Sequence, residues 1–133
     1  MRLVCDTNVL IAALVADGLC RDIVKRRFSS HELFTSTALL HDLREKIRNK
    51  FETDPDCVPF IRAYQERAVV IAALPLPKQV CRDRDDHEVL AVAVAASADL
   101  IITGDEDLLV LKNFEGTVIL SPRGFVEHLD KLP

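Results

Sequence analysis

The sequence predicts an α/β domain with a mainly parallel sheet of about five strands, and three observations carry that expectation. Short apolar runs of strand length alternate with longer runs of helical period. Several of the short runs are continuously apolar, as strands covered by helices on both faces must be. The chain has 133 residues, 49% of them hydrophobic, and shows no repeat or low-complexity tract. That suits one domain over residues 1–133 with a sizeable core.

The elements follow in order. Residues 3–5 make the first strand, followed by helical patterns at 9–16 and 19–28. A second strand at Glu32–Thr35 leads to Ser36, which is placed to cap a helix over Thr37–Phe51. Leu39, Leu40, Leu43 and Ile47 form one apolar stripe on that helix. A helix at 55–67 precedes a third strand at 69–72. The helix at 87–97 is apolar on nearly every side and rich in alanine, which predicts burial. Asp85 is its expected N-cap, since Glu88 stands three positions later in the spacing of a capping box. Strands at 100–103 and Thr117–Leu120 complete the sheet, and Pro122 after Ser121 starts the last helix, 122–129.

Composition excludes several classes. No apolar run approaches the roughly 20 residues of a membrane span, and the first residues lack the pattern of a secretory signal, so a cytoplasmic protein without a membrane partner is expected. Cys5, Cys20, Cys57 and Cys81 form no C-x-x-C pair, which points to reduced packing residues rather than a zinc site or disulfide framework. His31, His41, His87 and His128 lack metal-ligand spacing and are expected at the surface or as caps. A net charge of −4 disfavours gripping nucleic acid by bulk electrostatics. Basic residues are nevertheless grouped: Lys25 to Arg27, the series Arg44, Lys46, Arg48 and Lys50, and the pair Arg82 and Arg84.

The acidic residues are placed more tellingly. In open α/β sheets, ligands gather beyond the carboxyl ends of the strands. Asp6 directly follows the first strand, and Asp105 directly follows "LIITG" at 100–104, so two carboxylates distant in sequence converge at equivalent strand ends. Asp86 shares a helix face with Leu90, Ala93 and Ser97, which aims it along a packed surface. Asp42 sits on the edge of the Leu39–Leu43 stripe, where it either looks across the sheet end or lies on a solvated flank. Asp105 alone would read equally well as a first-turn acid favoured by a helix dipole.

Three fragments then carry a resemblance. "CDTNVLIAA" at 5–13, the helix start D-x-x-x-L-A-x-A at 86–93 and "TGDEDLL" at 103–109 resemble PIN-domain ribonucleases, above all those described as toxins of toxin–antitoxin pairs. The likeness runs from residue 3 to about residue 125, each fragment in the right order and context. It implies a three-layer α/β/α fold whose acidic cluster holds one or two Mg2+ or Mn2+ ions for phosphodiester cleavage. By position the acids fall on Asp6, Asp86 and Asp105, with Asn8, Thr103 and Asp107 in supporting places. The second acidic position departs from the family, which has Glu in an "LLxEL" run where this chain reads "LLHDL" with Asp42. The resemblance also implies an antitoxin partner and a homodimer.

The chemistry gives its own reason for this residue set. Magnesium takes oxygen ligands and keeps several waters, so a few carboxylates and a substrate phosphate suffice. Four carboxylates packed without a cation repel one another and raise one another's pKa values. RNA that is single-stranded or looped fits a narrow crevice, with Arg82 and Arg84 as the nearest substrate contacts. Base stacking is limited, since there is no Trp and one Tyr, Tyr64. Two further readings stay open: a PIN scaffold with weakened catalysis that binds RNA or protein, and an α/β phosphotransfer protein in which Asp6 is itself phosphorylated. The phosphatase form of the latter is disfavoured by Asn8, where a second acid is expected.

Overall fold

The computed structural model describes residues 1–132. Its centre is a six-stranded sheet in the order β3-β2-β1-β4-β6-β5. β1 (Arg2–Cys5) lies between β2 (Glu32–Thr35) and β4 (Leu100–Ile102), parallel to both. Leu3 pairs with Leu33 on one side and Leu100 on the other, and Val4 with Phe34 and Ile101. β3 (Val69–Val70) continues the parallel order outside β2, and β6 (Thr117–Leu120) continues it outside β4.

Alternation along the strands fills two cores. Leu3 and Cys5 of β1 and Leu100 and Ile102 of β4 face one layer, while Val4 and Ile101 face the other. The first layer holds α1 (Thr7–Val15), α3 (Thr37–Phe51), α4 (Pro59–Arg67) and α7 (Pro122–Asp130), which contribute Leu10, Leu43, Ile47, Ile61 and Phe125. The second is led by α5 (Arg84–Ala96), whose Val89, Leu90, Val92, Ala93 and Ala96 are all buried. The result is a three-layer α/β/α arrangement around a mostly parallel sheet, as the sequence predicts.

Ser36 caps α3 by accepting from the Leu39 N–H at 3.2 Å, as expected; α7 starts at Pro122 as expected, and Ser121 before it caps the helix by accepting from Gly124 N–H at 3.0 Å. The expected helix at 19–28 is three segments: α2 (Leu19–Asp22), a π turn at Ile23–Arg27 and a 3-10 turn at Phe28–Ser30. Arg67 ties off its end by donating to the Phe28 carbonyl at 2.6 Å. The helix expected from residue 55 begins with a separate 3-10 turn, Pro55–Cys57, and resumes at Pro59, since neither proline donates a backbone N–H.

A sixth strand was not expected. β5 (Asn113–Phe114) pairs antiparallel with β6 through a two-residue turn, after a short helix α6 (Glu106–Leu109). Glu115 and Gly116 both have positive φ, 50° and 87°, which is the backbone of a type I′ hairpin. No helix among the described residues is long and apolar enough to cross a membrane.

The strand order positions the site. From β1 the chain runs outward to β2 and β3, then returns through α5 to β4 on the other side of β1. The sheet therefore has its switch point between β1 and β4, and loops diverging there open a crevice at the carboxyl ends of those strands.

Candidate metal centre

Asp6 and Thr103 are the residues next after β1 and β4, and they meet. The Asp6 N–H donates to the Ile102 carbonyl at 2.9 Å, and the Thr103 hydroxyl donates to Asp6 Oδ2 at 2.7 Å. The same hydroxyl accepts from the Asp105 N–H at 3.0 Å, so one buried threonine links two acidic residues. Burial raises the Asp6 pKa above the usual carboxylate range. The Thr103 bond, the Asn8 N–H and the Lys46 charge oppose this, and Asp105 adds to it.

Asp86 lies on the buried side of the first turn of α5 and is 3% exposed. Its Oδ2 is enclosed without a hydrogen-bond partner. Its pKa is pushed up to about 7, first by burial, then by contact with the Asp105 carboxyl, then by the charges of Asp105, Asp83 and Asp6. One oxygen from each of Asp83, Asp86 and Asp105 lies within 4.8 Å of one from each of the others. Asp105 is half-buried at the N-cap of α6, where it accepts from Asp107 N–H at 2.9 Å. The plain capping role is thus real, and coexists with a place in the cluster.

This set fits a hard divalent cation. All donors are oxygens, and opposite ligands of an octahedral magnesium lie roughly 4.2 Å apart at bond lengths of about 2.1 Å, so a small closure of the three carboxylates is enough. The orphaned Asp86 oxygen is the strongest sign, because a buried carboxylate atom without a donor is costly unless a cation meets it.

Asp42 stands at the rim. Its Oδ2 accepts from the Thr7 hydroxyl at 3.0 Å and forms an ion pair with Lys46 Nζ at 3.1 Å. The same Thr7 hydroxyl lies 3.5 Å from Asp6 Oδ1, which links Asp42 to the buried acid. Asn8 is exposed on α1, and its side chain lines a cavity with Lys46 of α3. On the other side, Arg82 Nη2 pairs with Asp107 Oδ1 at 3.2 Å, and both Arg82 and Arg84 line a cavity of about 440 Å3 with Lys78 and Gln79.

Asp83 is the residue that sequence reasoning missed. It caps α5 by accepting from Asp85 N–H at 2.9 Å, so the cap expected of Asp85 sits two residues earlier. The expected capping box fails because Glu88 turns away and accepts from the Ser36 hydroxyl at 2.7 Å, joining the starts of α3 and α5. The run "DRDD" was the available signal. His87 is a cap of another kind: its Nε2 lies 2.9 and 2.8 Å from the Val80 and Cys81 N–H groups, which fastens the preceding loop.

A PIN domain family model matches residues 2–107, from the first strand through the start of α6. The chain belongs to the PIN domain family. With that membership the phosphotransfer alternative for Asp6 falls away. An uncharacterised protein of Methanocaldococcus jannaschii is 28% identical, over 98% of this chain and 93% of its own length. Among solved structures, a chain of VapBC2 from Rickettsia felis, crystallised bound to a DNA fragment from their promoter, shares the fold with a TM-score of 0.63. That match covers 91% of this PIN domain chain and 98% of the other, at 13% identity.

Proposed function

We propose that this PIN domain is a metal-dependent ribonuclease that hydrolyses RNA phosphodiester bonds, with Asp83, Asp86 and Asp105 holding Mg2+ or Mn2+ and Asp6 and Asp42 completing the acidic wall. The observation that carries the reading is the orphaned, buried Asp86 Oδ2 facing two further carboxylates at the switch point of the sheet. When bound, the ion supplies positive charge and Lewis acidity for attack of water at phosphorus. Thr103 fixes the Asp6 carboxylate and Asp105 backbone in one register. Asp107 steadies Arg82 at the cavity edge, where Arg82 and Arg84 meet substrate phosphates. The substrate in this reading is single-stranded or looped RNA. The chain acts as a toxin restrained by an antitoxin and works as a homodimer; that part rests on the sequence motifs and on the fold shared with a chain of VapBC2.

Cleavage of a labelled single-stranded RNA tests the reading. Cutting with Mn2+, its loss in chelator and its loss in Asp86→Asn and Asp6→Asn support it. RNA binding without cutting under every metal condition replaces it with the weakened scaffold.

A further inference from the structure

Lys46 has a bland explanation as half of an i, i+4 helix pair with Asp42, a partly exposed contact that contributes little. Two observations go beyond that. Its Nζ also reaches the Thr7 hydroxyl of α1 at 3.3 Å, so threonine, aspartate and lysine close a ring that pins the ammonium between two helices. The pinned lysine also forms part of the wall of a cavity of about 470 Å3, with Asn8 and Ile11 from α1 and Asn49 and Lys50 from α3.

A chain of contacts fixes where this cavity stands. Lys46 meets Asp42 and Thr7; the Thr7 hydroxyl lies 3.5 Å from Asp6 Oδ1; Asp6 meets Thr103; Thr103 meets Asp105; Asp105 meets Asp107; Asp107 meets Arg82. The carboxylates thus lie along a chain of contacts that ends in a cavity wall at either end, each with basic residues: Lys46 and Lys50 at one end, Lys78, Arg82 and Arg84 at the other. Basic side chains flanking an acidic centre offset its repulsion of a polyanion and hold the phosphates on either side of it.

Resting on the ribonuclease reading, we propose that Asn8, Lys46, Asn49 and Lys50 form a second substrate subsite, which binds the RNA backbone on the side of the cleavage centre opposite Arg82 and Arg84. Lys46 and Lys50 are one helical turn apart and present two ammonium groups along one face, suited to successive phosphates. Asn8 and Asn49 add carboxamides that donate and accept, which suits ribose hydroxyls and exposed base edges better than a run of carboxylates. The cavity wall has no aromatic side chain, so binding there follows the backbone and not base stacking.

The test is binding of a labelled single-stranded RNA to metal-free protein across a salt series, with parallel cleavage in Mn2+. Asn49 and Lys50 are exposed, so Lys50→Gln and Asn49→Ala keep the fold, and Lys131→Gln at the far end of α7 matches the change in net charge. Lys50→Gln is expected to weaken binding and to lower the salt slope by about 0.7 for one lost phosphate contact, with Lys46→Gln doing the same and Lys131→Gln leaving both unchanged. If the wild type cuts RNA and Lys50→Gln and Lys46→Gln bind with unchanged affinity and slope, the subsite is overturned and the ribonuclease stands. If Lys50→Gln impairs binding of an oligoglutamate peptide but not of RNA, the cavity serves an acidic protein segment and the proposal fails. A wild type that neither binds nor cuts RNA removes both readings.

Discussion

Asp83 performs two roles that substitution separates. Its carboxylate caps α5 and belongs to the three-acid cluster. A serine keeps the cap and removes the charge. Asp83→Ser is therefore expected to hold thermal stability within about 0.5 kcal/mol while Asp83→Ala loses about 1 kcal/mol, and both to weaken Mn2+ binding. Melting curves with and without Mn2+ check this, and equal metal shifts in wild type and both variants would show that Asp83 is no ligand. Asp86 gives a pH signature. Its folded pKa, about 7, lies above the ordinary carboxylate value, so the fold favours the protonated form. That contribution is complete below about pH 4 and is lost as pH rises through about 7. Metal-free protein should accordingly melt at lower temperature at pH 8 than at pH 5, and Asp86→Asn should flatten the difference. Mn2+ should stabilise the wild type more at pH 8, because the ion binds the carboxylate and not the acid. An identical pH profile for wild type and Asp86→Asn contradicts the assignment.

Elements differ in how legible they are, for physical reasons. α3 announces itself through Ser36 and a stripe spanning Leu39 to Ile47, because a long amphipathic helix repeats its signal several times. Asp86 was readable for the same reason: an apolar helix leaves its one inward acid conspicuous. β5 has two residues and no period to read, and its turn is Glu-Gly where Asn-Gly is the strong signal. Asp83 was obscured because local spacing favoured Asp85 with Glu88, whereas Ser36, 52 residues away from Glu88, takes that carboxylate in the fold. The ring of Thr7, Asp42 and Lys46 joins residues 35 and 39 positions apart, a relation no local pattern carries. The hairpin itself yields a prediction. Gly116 sits at φ 87° and Glu115 at φ 50°, in the left-handed region that penalises ordinary side chains. Glu115→Asn is expected to raise the urea midpoint slightly, and Gly116→Ala to cost about 1 kcal/mol, with no change in the response to metal. A neutral Gly116→Ala would mean that β5 contributes nothing to stability.

At the scale of the whole molecule, the site exists because the chain reverses direction across the sheet between β1 and β4. That switch brings Asp6 from the start of the chain, Asp83 and Asp86 from the start of α5, and Asp105 from beyond β4 to one end of the sheet. The sequence showed the strand ends and hence Asp6 and Asp105, but not the order in which strands pair, so the exact neighbours of each acid stayed hidden. Mutual repulsion makes the metal-free cluster a weak point in an otherwise well-packed fold, and ligand binding to the native state alone stabilises by mass action, about 2.7 kcal/mol at a hundredfold excess over Kd. The effect should be spatially confined. Saturating Mn2+ is expected to slow amide hydrogen exchange in residues 83–86 and 103–107, where the cluster residues and their tethers lie, and to leave the edge strands β3 and β5 nearly unchanged under conditions where exchange proceeds by local opening. Exchange measured by mass spectrometry on peptides from these segments decides it. Slowing spread evenly over the sheet, or centred on β3, would place the ion elsewhere and separate the acidic cluster from the chemistry assigned to it.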